Sequence, residues 1–387
     1  IRDRYGLQGN IDKNTSPFLL GNYRIENILP GGSEDMIDVS GAPNKKLRWE
    51  KTHSVNAGFD FAVLNQAINL SVDYYYRKGV DLIGTQMLPL ETGFEMLTVN
   101  WASMRNQGVE VALSTRNVHT KNFMWTTNFN FAYNNNKVLK EALREDALEP
   151  GREGYPAGAL FALKTAGLDE EGYPMFQDKD GKAVSAMEFF KLQEWGFGAT
   201  DLTARERREL YTYVGTADCP YTGGFNNTFT YKAFELGVNF SFDFGGKVRS
   251  QPTYSIVDFD KGRNTNRDIL NRWTPENTET IFPVLLSQNE RLDEYMWYSN
   301  QNEIYRNLDI WIRDLNYVRL QNIRLGYTLP TNFSRTLGMT SATVAIEGRN
   351  LLVFGSSYKN YLDPETMSNA YATPAPKSVT LSLNLIF

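Results

Sequence analysis

Apolar and polar residues alternate with a period of two along much of this chain. Between residues 236 and 240, for example, Leu236, Val238 and Phe240 alternate with Gly237 and Asn239. Successive side chains of a β-strand point to opposite faces of a sheet, so each such segment has one apolar and one polar face. The alternation predicts about ten strands, in segments that include 54–61, 70–76, 109–114, 123–133, 235–244, 323–329, 344–346 and 378–387.

Two architectures fit this pattern. In a soluble β-sandwich the apolar faces form the core, whereas in an outer-membrane barrel they contact lipid and the polar faces line the lumen. The segments are about ten residues long, as a tilted membrane strand requires, and their apolar faces carry bulky side chains of similar size, which lipid accepts and a close-packed core does not. Aromatic residues near segment ends fit a membrane girdle: Tyr74, Tyr76, Tyr133 and Phe387. The pattern therefore favours an all-β, antiparallel transmembrane barrel.

Connections of two lengths separate the predicted strands. A short polar turn at Asn65 and Gln66 is typical of a hairpin, whereas long polar stretches occupy residues 10–46, 137–221 and 249–309. Outer-membrane barrels have short turns at one end and long loops at the other. We therefore expect residues 137–220 and 249–309 to form long extracellular loops.

Two short helical segments are expected inside these loops. Thr203 and Glu206 have the spacing of a capping box, and Leu210 follows on one face. Residues 268–273, which precede Pro275, are expected to form another helical turn.

The composition narrows the possible functions. The 387 residues carry 40 basic and 45 acidic side chains, a net charge of -5, so no nucleic-acid partner is predicted. A single cysteine, Cys219, excludes an intramolecular disulfide and a CxxC motif, and only His53 and His119 offer imidazole to a metal. Aromatic residues make up 13% of a chain whose mean hydropathy is -0.43, and the strand alternation accounts for this combination.

The sequence lacks the common catalytic, cofactor-binding and metal-binding motifs. It has no phosphate-binding loop, dinucleotide fingerprint, zinc-protease motif or nucleophile elbow, so no catalytic residue, cofactor or metal is predicted. The stretch 178–181 resembles part of a calcium loop, but an EF-hand register would place Phe176 and Met187 at ligand positions, which favours a solvated turn. Acidic residues on the polar faces are expected to pair with Arg or Lys of neighbouring strands or of a plug: Asp60, Asp73, Glu110, Asp243 and Glu347.

Aromatic residues in the long loops are the candidates for ligand contact. Trp297, Tyr298 and Trp311 could stack on sugar rings or on peptide side chains. The alternative, which we rate higher, is that they pack within their own loops.

Ten segments of the chain carry motifs that occur together in one protein family. Four of them are LRWEKT at 47–52, NAGFD at 56–60, NQGVE at 106–110 and LNRWTPENT at 270–278. The others are 4–10, 73–76, 221–235, 317–330, 348–352 and 361–365. In this order they resemble the C-terminal part of the SusC-like (SusC/RagA-type) TonB-dependent transporters of the Bacteroidetes outer membrane. An acidic, glycine-rich stretch that many relatives carry before segment 221–235 is eroded here.

The resemblance implies a 22-stranded barrel that holds a plug and is paired with a SusD-like surface lipoprotein acting as a lid. Lid and barrel would capture an oligosaccharide or peptide, and TonB, with ExbB and ExbD, would act on the plug to import it. Transporter–lid pairs could form a dimer, and the expected location is the outer membrane, with its lipid around the barrel. The plug has no counterpart in this chain, so residues 1–387 are expected to be the C-terminal portion of a single barrel domain.

The last predicted strand carries a second expectation. It alternates and ends on an aromatic residue, as does the signal by which barrels are recognised for assembly, and Leu383, Leu385 and Phe387 are the candidates. Other functions left open are an outer-membrane barrel enzyme, a porin and, as the weakest, a soluble β-rich binding or adhesion protein.

Overall fold

The computed structural model describes residues 1–11, 17–18, 21–29, 32–39, 41–94, 96–143, 145–196, 199–250, 262, 267–285, 307–336, 338–355, 363–366 and 372–387. Its strands are β1 (Arg2–Asn10), β2 (Gly21–Leu29), β3 (Gly32–Val39), β4 (Glu50–Val63), β5 (Ile68–Met87), β6 (Met96–His119), β7 (Phe123–Lys140), β8 (Ala159–Leu163), β9 (Thr165–Leu168), β10 (Pro174–Gln177), β11 (Ala183–Val184), β12 (Tyr211–Thr216), β13 (Tyr221–Tyr231), β14 (Phe234–Arg249), β15 (Ile312–Thr328), β16 (Ser341–Phe354) and β17 (Ser378–Ile386). The α-helices are α1 (Ala186–Phe189), α2 (Ala204–Glu209) and α3 (Thr331–Thr336), and short 3-10 helices span Leu90–Thr92, Arg267–Asn271 and Asp309–Trp311. Within the described ranges, no helix has the length and apolar character needed to cross a membrane.

One antiparallel sheet of ten strands dominates the fold. Its order is β1-β4-β5-β6-β7-β13-β14-β15-β16-β17, so strands that follow one another along the chain are neighbours once the loop strands are set aside. This confirms the predicted all-β, antiparallel barrel wall of about ten strands. In the described part of the chain β1 and β17 form the two edges, and the sheet is open between them.

The two faces of this sheet separate apolar from polar side chains. Along one row Val72 is paired with Val111, and Val111 with Phe131, while in the adjacent row Asp73 is paired with Glu110. On the apolar face large side chains stay uncovered, and Leu381 on β17 is 76% exposed. A soluble protein rarely exposes so extended an apolar surface, whereas a barrel turns it to lipid. We call the apolar face outward and the polar face inward.

The connections divide the sheet into two ends. Turns 64–67, 120–122 and 232–233 and the α3 connection at 329–340 lie at one end, the short-turn end. Leu64, Asn65 and Gln66 all have positive φ, which confirms the predicted tight turn. The longer connections 11–49, 141–220, 250–311 and 355–377 lie at the opposite end, the long-loop end. The first of these is not a plain loop as expected from sequence, because β2 and β3 pair there as a hairpin.

The long-loop end carries a folded lobe with its own core. This loop lobe comprises β8–β12, α1, α2 and the segments 267–285 and 307–311. Leu163, Phe176, Leu308 and Trp311 are almost fully buried in it. A backbone hydrogen bond joins β8 to segment 307–311: Leu163 N–H donates to Asn307 O at 2.8 Å. The two loops predicted as separate polar stretches therefore share one hydrophobic core.

The helical predictions within the lobe are confirmed. Thr203 Oγ1 accepts from Glu206 N–H and the Glu206 carboxylate accepts from Thr203 N–H, which is the reciprocal capping box at the start of α2. These hydrogen bonds hold the pKa of Glu206 down to about 2. The 3-10 helix Arg267–Asn271 occupies the position of the second predicted turn.

Candidate functional site

The inward face contains a concavity of about 850 Å³ that is lined by asparagine, serine and small residues together with apolar groups of the wall. A row of asparagines crosses it, because Asn226 is paired with Asn128 on one side and with Asn239 on the other, and Asn239 with Asn322 beyond. Each amide offers both donors and acceptors. The asparagine row therefore suits polar, uncharged groups such as hydroxyls and peptide bonds.

A charged cluster lies near the β1 edge of the same face. Arg2 donates to Asp60 at 2.8 Å and to Asp73 at 2.9 Å, and Ser71 bridges the carboxylates. A Cβ at Gly58 would come within 2.3 Å of Asp73, so the glycine of the NAGFD motif leaves room for this contact. The arrangement confirms the predicted pairing with a neighbouring strand for Asp60, whereas Asp73 on β5 is reached by Arg2 across β4. The half-exposed position of the cluster makes these pairs weak energetically.

The other inward acids follow the prediction in part. Glu347 accepts from Arg349 two residues along β16 at 2.5 Å. Asp243 instead accepts from the Tyr317 hydroxyl at 2.5 Å, which is a neutral donor on the adjacent strand. For Glu110 no hydrogen bond or ion pair is found among the described residues.

The NQGVE motif has a steric role on the inward face. Tyr75 extends across β6 and donates to Asn134 Oδ1 at 2.8 Å. It passes over Gly108, where a Cβ would lie 2.6 Å from the Tyr75 hydroxyl and 2.1 Å from Tyr133 O. Nearer the long-loop end, Asn136 donates to Asn106 at 2.6 Å. The glycine therefore allows a polar ladder to cross three strands.

A buried ion cluster ties the β16–β17 connection to the sheet. The Arg319 side chain on β15 is only 2% exposed and pairs with Asp363, and its Nε donates to Glu365 at 2.8 Å. Asp363 also accepts from the backbone N–H of Glu365 at 3.0 Å and of Ala375 at 3.2 Å. Tyr317 completes the group through a 3.2 Å bond to Glu365. We call Arg319, Asp363 and Glu365 the loop clasp.

The clasp explains two of the sequence motifs together. Segment 317–330 supplies the arginine and tyrosine, and segment 361–365 supplies both acids. A charge buried this deeply is tolerated only when it is paired and hydrogen-bonded. The clasp therefore fixes residues 363–366 against the wall at the long-loop end.

The LNRWTPENT motif is an anchor within the loop lobe. Trp273 lies against Gly172, whose φ is +84°, and a Cβ there would be 2.4 Å from the indole. Trp273 N–H donates to Phe282 O at 3.0 Å, and Asn277 Nδ2 donates to the backbone of Asn271 and Arg272. This motif thus joins segment 267–285 to the β9–β10 turn.

The predicted ligand-contact residues divide by position. Trp311 is 1% exposed in the lobe core, with its ring 5.8 Å from that of Phe282. Its placement matches the alternative of packing within the loops. Trp297 and Tyr298 lie outside the described residues, and a role in ligand contact stays a prediction for all three.

The remaining predicted residues lie on strands and turns. Leu383 and Leu385 project outward from β17, and Phe387 follows this strand. All three side chains are exposed. Their role as an assembly signal stays a prediction. His53 Nδ1 lies 3.1 Å from the Tyr5 hydroxyl. Asp178 Oδ1 accepts from two backbone N–H groups of its own turn, as expected for a solvated turn. In the parts of the chain that are described, no cluster of three or more metal-ligating side chains occurs.

Several of these features were not predicted from the sequence. The loop clasp joins residues 44 and 46 positions apart, and no local pattern marks such a pair. The lobe has strands of two to six residues, too short to show alternation. The motifs themselves were the available signal. Gly58, Gly108, Trp273, Asp363 and Glu365 all belong to them, and each makes or allows one of the contacts described above.

Comparison with known proteins agrees with this geometry. Residues 19–159 match the family described as TonB dependent receptor-like, beta-barrel. TonB-dependent receptor P3 of Formosa agariphila is 26% identical over 416 residues, covering 100% of this chain and 39% of P3. TonB-dependent receptor SusC of Bacteroides thetaiotaomicron is 26% identical over 365 residues, covering 88% of this chain and 32% of SusC. The named relatives are receptors rather than enzymes.

Solved structures share the fold. The structure of the RagAB peptide transporter superposes with a TM-score of 0.73 at 24% identity, covering 99% of this chain and 40% of that one. The RagAB peptide importer in the 'open-open' state gives a TM-score of 0.74 at 22% identity, covering 100% and 40%. The chain spans about two fifths of the length of the first curated relatives it matches. These findings confirm the resemblance and the fold predicted from the sequence.

Proposed function

Because this chain carries the β-barrel of the TonB-dependent receptors and is a relative of SusC, we propose that it forms the C-terminal barrel wall and the extracellular loops of a nutrient importer. The cargo would be an oligosaccharide or a peptide, and a SusD-like lipoprotein would close over the long-loop end. TonB, with ExbB and ExbD, would drive release through a plug elsewhere in the full-length protein.

One observation carries the proposal: a sheet with a lipid-type outward face and an amide-rich inward face ends in an ordered lobe. The lobe core and the loop clasp hold the described parts of the long loops in defined positions at a single end of the wall. Fixed loops preserve a binding surface without paying its ordering entropy on each encounter. A porin or a barrel enzyme has no comparable support, since no reactive constellation appears on the described inward face.

Two classes of cargo fit the inward face. Asparagine amides bind sugar hydroxyls and peptide groups equally well, so the row of Asn128, Asn226 and Asn239 does not separate them. RagAB, whose structures share this fold, is a peptide transporter. Peptide is therefore the first cargo to test, with neutral oligosaccharide second.

Uptake by cells tests the proposal. The full-length protein and its lipoprotein partner, expressed in a strain lacking related importers, should take up a labelled peptide or oligosaccharide mixture. Uptake should fall to background when TonB is deleted or when the lipoprotein is removed. Uptake that continues at the same rate without TonB would contradict an importer and favour a porin.

The predicted contact residues can be tested in the same system. Trp297→Ala and Tyr298→Ala should each weaken cargo binding by roughly tenfold or more if the rings are binding anchors. Trp195→Ala, which removes an exposed ring of the lobe, is the matched control and should leave binding unchanged. Equal affinity for all variants would show that these rings serve their loops alone.

A further inference from the structure

A row of cationic side chains crosses four neighbouring strands near the long-loop end. His53 is paired with Lys78, Lys78 with Arg105, and Arg105 with Lys137, so the residues lie side by side on β4, β5, β6 and β7. We call Lys78, Arg105 and Lys137 the basic row. The whole chain is acidic, with a net charge of -5, whereas this row is positively charged.

The basic row belongs to the outward face. Lys78 follows Leu70, Val72, Tyr74 and Tyr76 at steps of two, and the β4–β5 register runs without a shift from residue 68 to residue 80. The same parity joins Arg105 to the apolar positions of β6, and Lys137 to those of β7, with continuous pairing between them. The cations therefore extend the surface that meets lipid.

The described residues leave these charges without carboxylate partners. Among the described residues none of the basic row forms an ion pair with a carboxylate. Arg105 Nε is shielded from solvent and has no hydrogen-bond partner in the described structure. On the short-turn side the adjoining outward row is Tyr5, Val55, Tyr76, Gln107 and Asn135, which holds amide donors and no acid. On the long-loop side the next outward residue of β4 is Lys51, and the acid beside it, Asp81, is already paired with Lys51 and with Arg48.

The height of the row matches a membrane boundary. Ten positions separate Lys78 from Ile68 at the short-turn end. At about 3.4 Å per residue and a strand tilt of about 40°, this corresponds to about 26 Å, close to the apolar band of about 25 Å of outer-membrane barrels. Tyr74, Tyr76 and Tyr133 lie just below the row, where an aromatic girdle is expected.

We propose that the basic row binds the phosphate-bearing headgroup of an outer-leaflet lipid. Unpaired cations beside amide donors at the headgroup level complement an anion that is anchored in the membrane by its acyl chains. The acyl chains would lie along the apolar strands below. This inference depends on the orientation of the wall in the membrane and not on the transported cargo.

Binding of a phosphorylated lipid tests the inference. The full-length protein in uncharged detergent would be titrated with monophosphorylated lipid A, and bound lipid counted by native mass spectrometry. The triple variant Lys78→Gln, Arg105→Gln and Lys137→Gln should bind roughly 100-fold more weakly, at about fivefold for each cation. Gln is used because it keeps the length and polarity of the side chains.

A charge-matched control uses the opposite face. Arg4→Gln, Arg77→Gln and Arg324→Gln together remove the same charge from inward positions and should leave lipid binding unchanged. Equal weakening in both triple variants would overturn the proposal, because it would indicate a general charge effect. Full competition by inorganic phosphate would overturn it in favour of a free-anion site. A loss of dimer in the outward variant, with lipid binding intact, would assign the row to a second copy of the chain.

Discussion

Removal of the Asp363 carboxylate should release the loop clasp. In Asp363→Ala, Arg319 keeps its buried position but loses its most buried partner, and two backbone N–H groups lose their acceptor. Breaking one partner of a buried ion pair typically costs about 3–5 kcal/mol. Glu365 remains 2.8 Å from Arg319 Nε and is itself partly exposed, so we expect the lower end, about 3 kcal/mol.

The effect should be confined to the β16–β17 connection. An opening free energy lower by about 3 kcal/mol corresponds to roughly 100-fold faster amide exchange. Hydrogen exchange with mass spectrometry on the full-length protein would report peptides that contain residues 363–366 and 372–377. Strand β15 should keep its protection, because its backbone ladder is unchanged.

A surface pair provides the matched control. Glu235→Ala removes an exposed carboxylate 3.2 Å from Arg324, and such pairs contribute about 0–1 kcal/mol. Asp363→Asn is the second variant, since it keeps an acceptor for the backbone and removes only the charge. If Asp363→Ala and Glu235→Ala change exchange to the same small extent, the reasoning about the buried charge is refuted.

Three further changes test separate parts of the structure. Gly108→Ala places a Cβ against the Tyr133 carbonyl and should lower the free energy of unfolding by about 1–3 kcal/mol, measured by urea denaturation. Gly237→Ala is the control, because a Cβ there has nothing within 4 Å, and equal midpoints for the two variants would contradict the steric role of Gly108. Burial raises the pKa of Cys219 to about 11, so the alkylation rate of the folded protein should be low at pH 8 and rise up to about pH 11. In the urea-unfolded chain the rate should level off near pH 9, and identical pH profiles for the two states would refute this. The capping contact of Glu206 with Thr203 should stabilise α2 fully above about pH 4.5 and be lost as the pH falls through about 2. Thr203→Ala should raise the pKa of Glu206 in a carboxyl NMR titration, and an unchanged pKa would contradict the cap.

The sequence predicts the wall well because lipid imposes a simple rule. From Ile68 to Tyr76 on β5 and from Phe234 to Phe244 on β14 every second residue is apolar, so the pattern is visible without knowledge of partners. The turn at Asn65 and the cap at Thr203 are also local, and both predictions are confirmed.

The lobe and the clasp follow a different rule. Phe176 and Trp311 become core residues only because loops far apart in the chain pack together, and each loop alone reads as polar. Arg319 and Asp363 likewise carry no mark of their pairing, since an arginine on an inward face has many possible partners. Long-range packing decides these contacts, and it is not encoded in any short window.

Collision accessibility of spin labels on β17 tests the central claim that one face of this wall meets lipid. In a Cys219→Ser background, labels at Leu381 and Leu383 and at Ser382 and Asn384 would be compared in the reconstituted full-length protein by electron paramagnetic resonance. The account predicts that oxygen relaxes the labels at 381 and 383 more strongly, and that a water-soluble nickel chelate relaxes those at 382 and 384. Accessibility without a period of two, or with the two faces exchanged, would contradict a lipid-facing barrel wall.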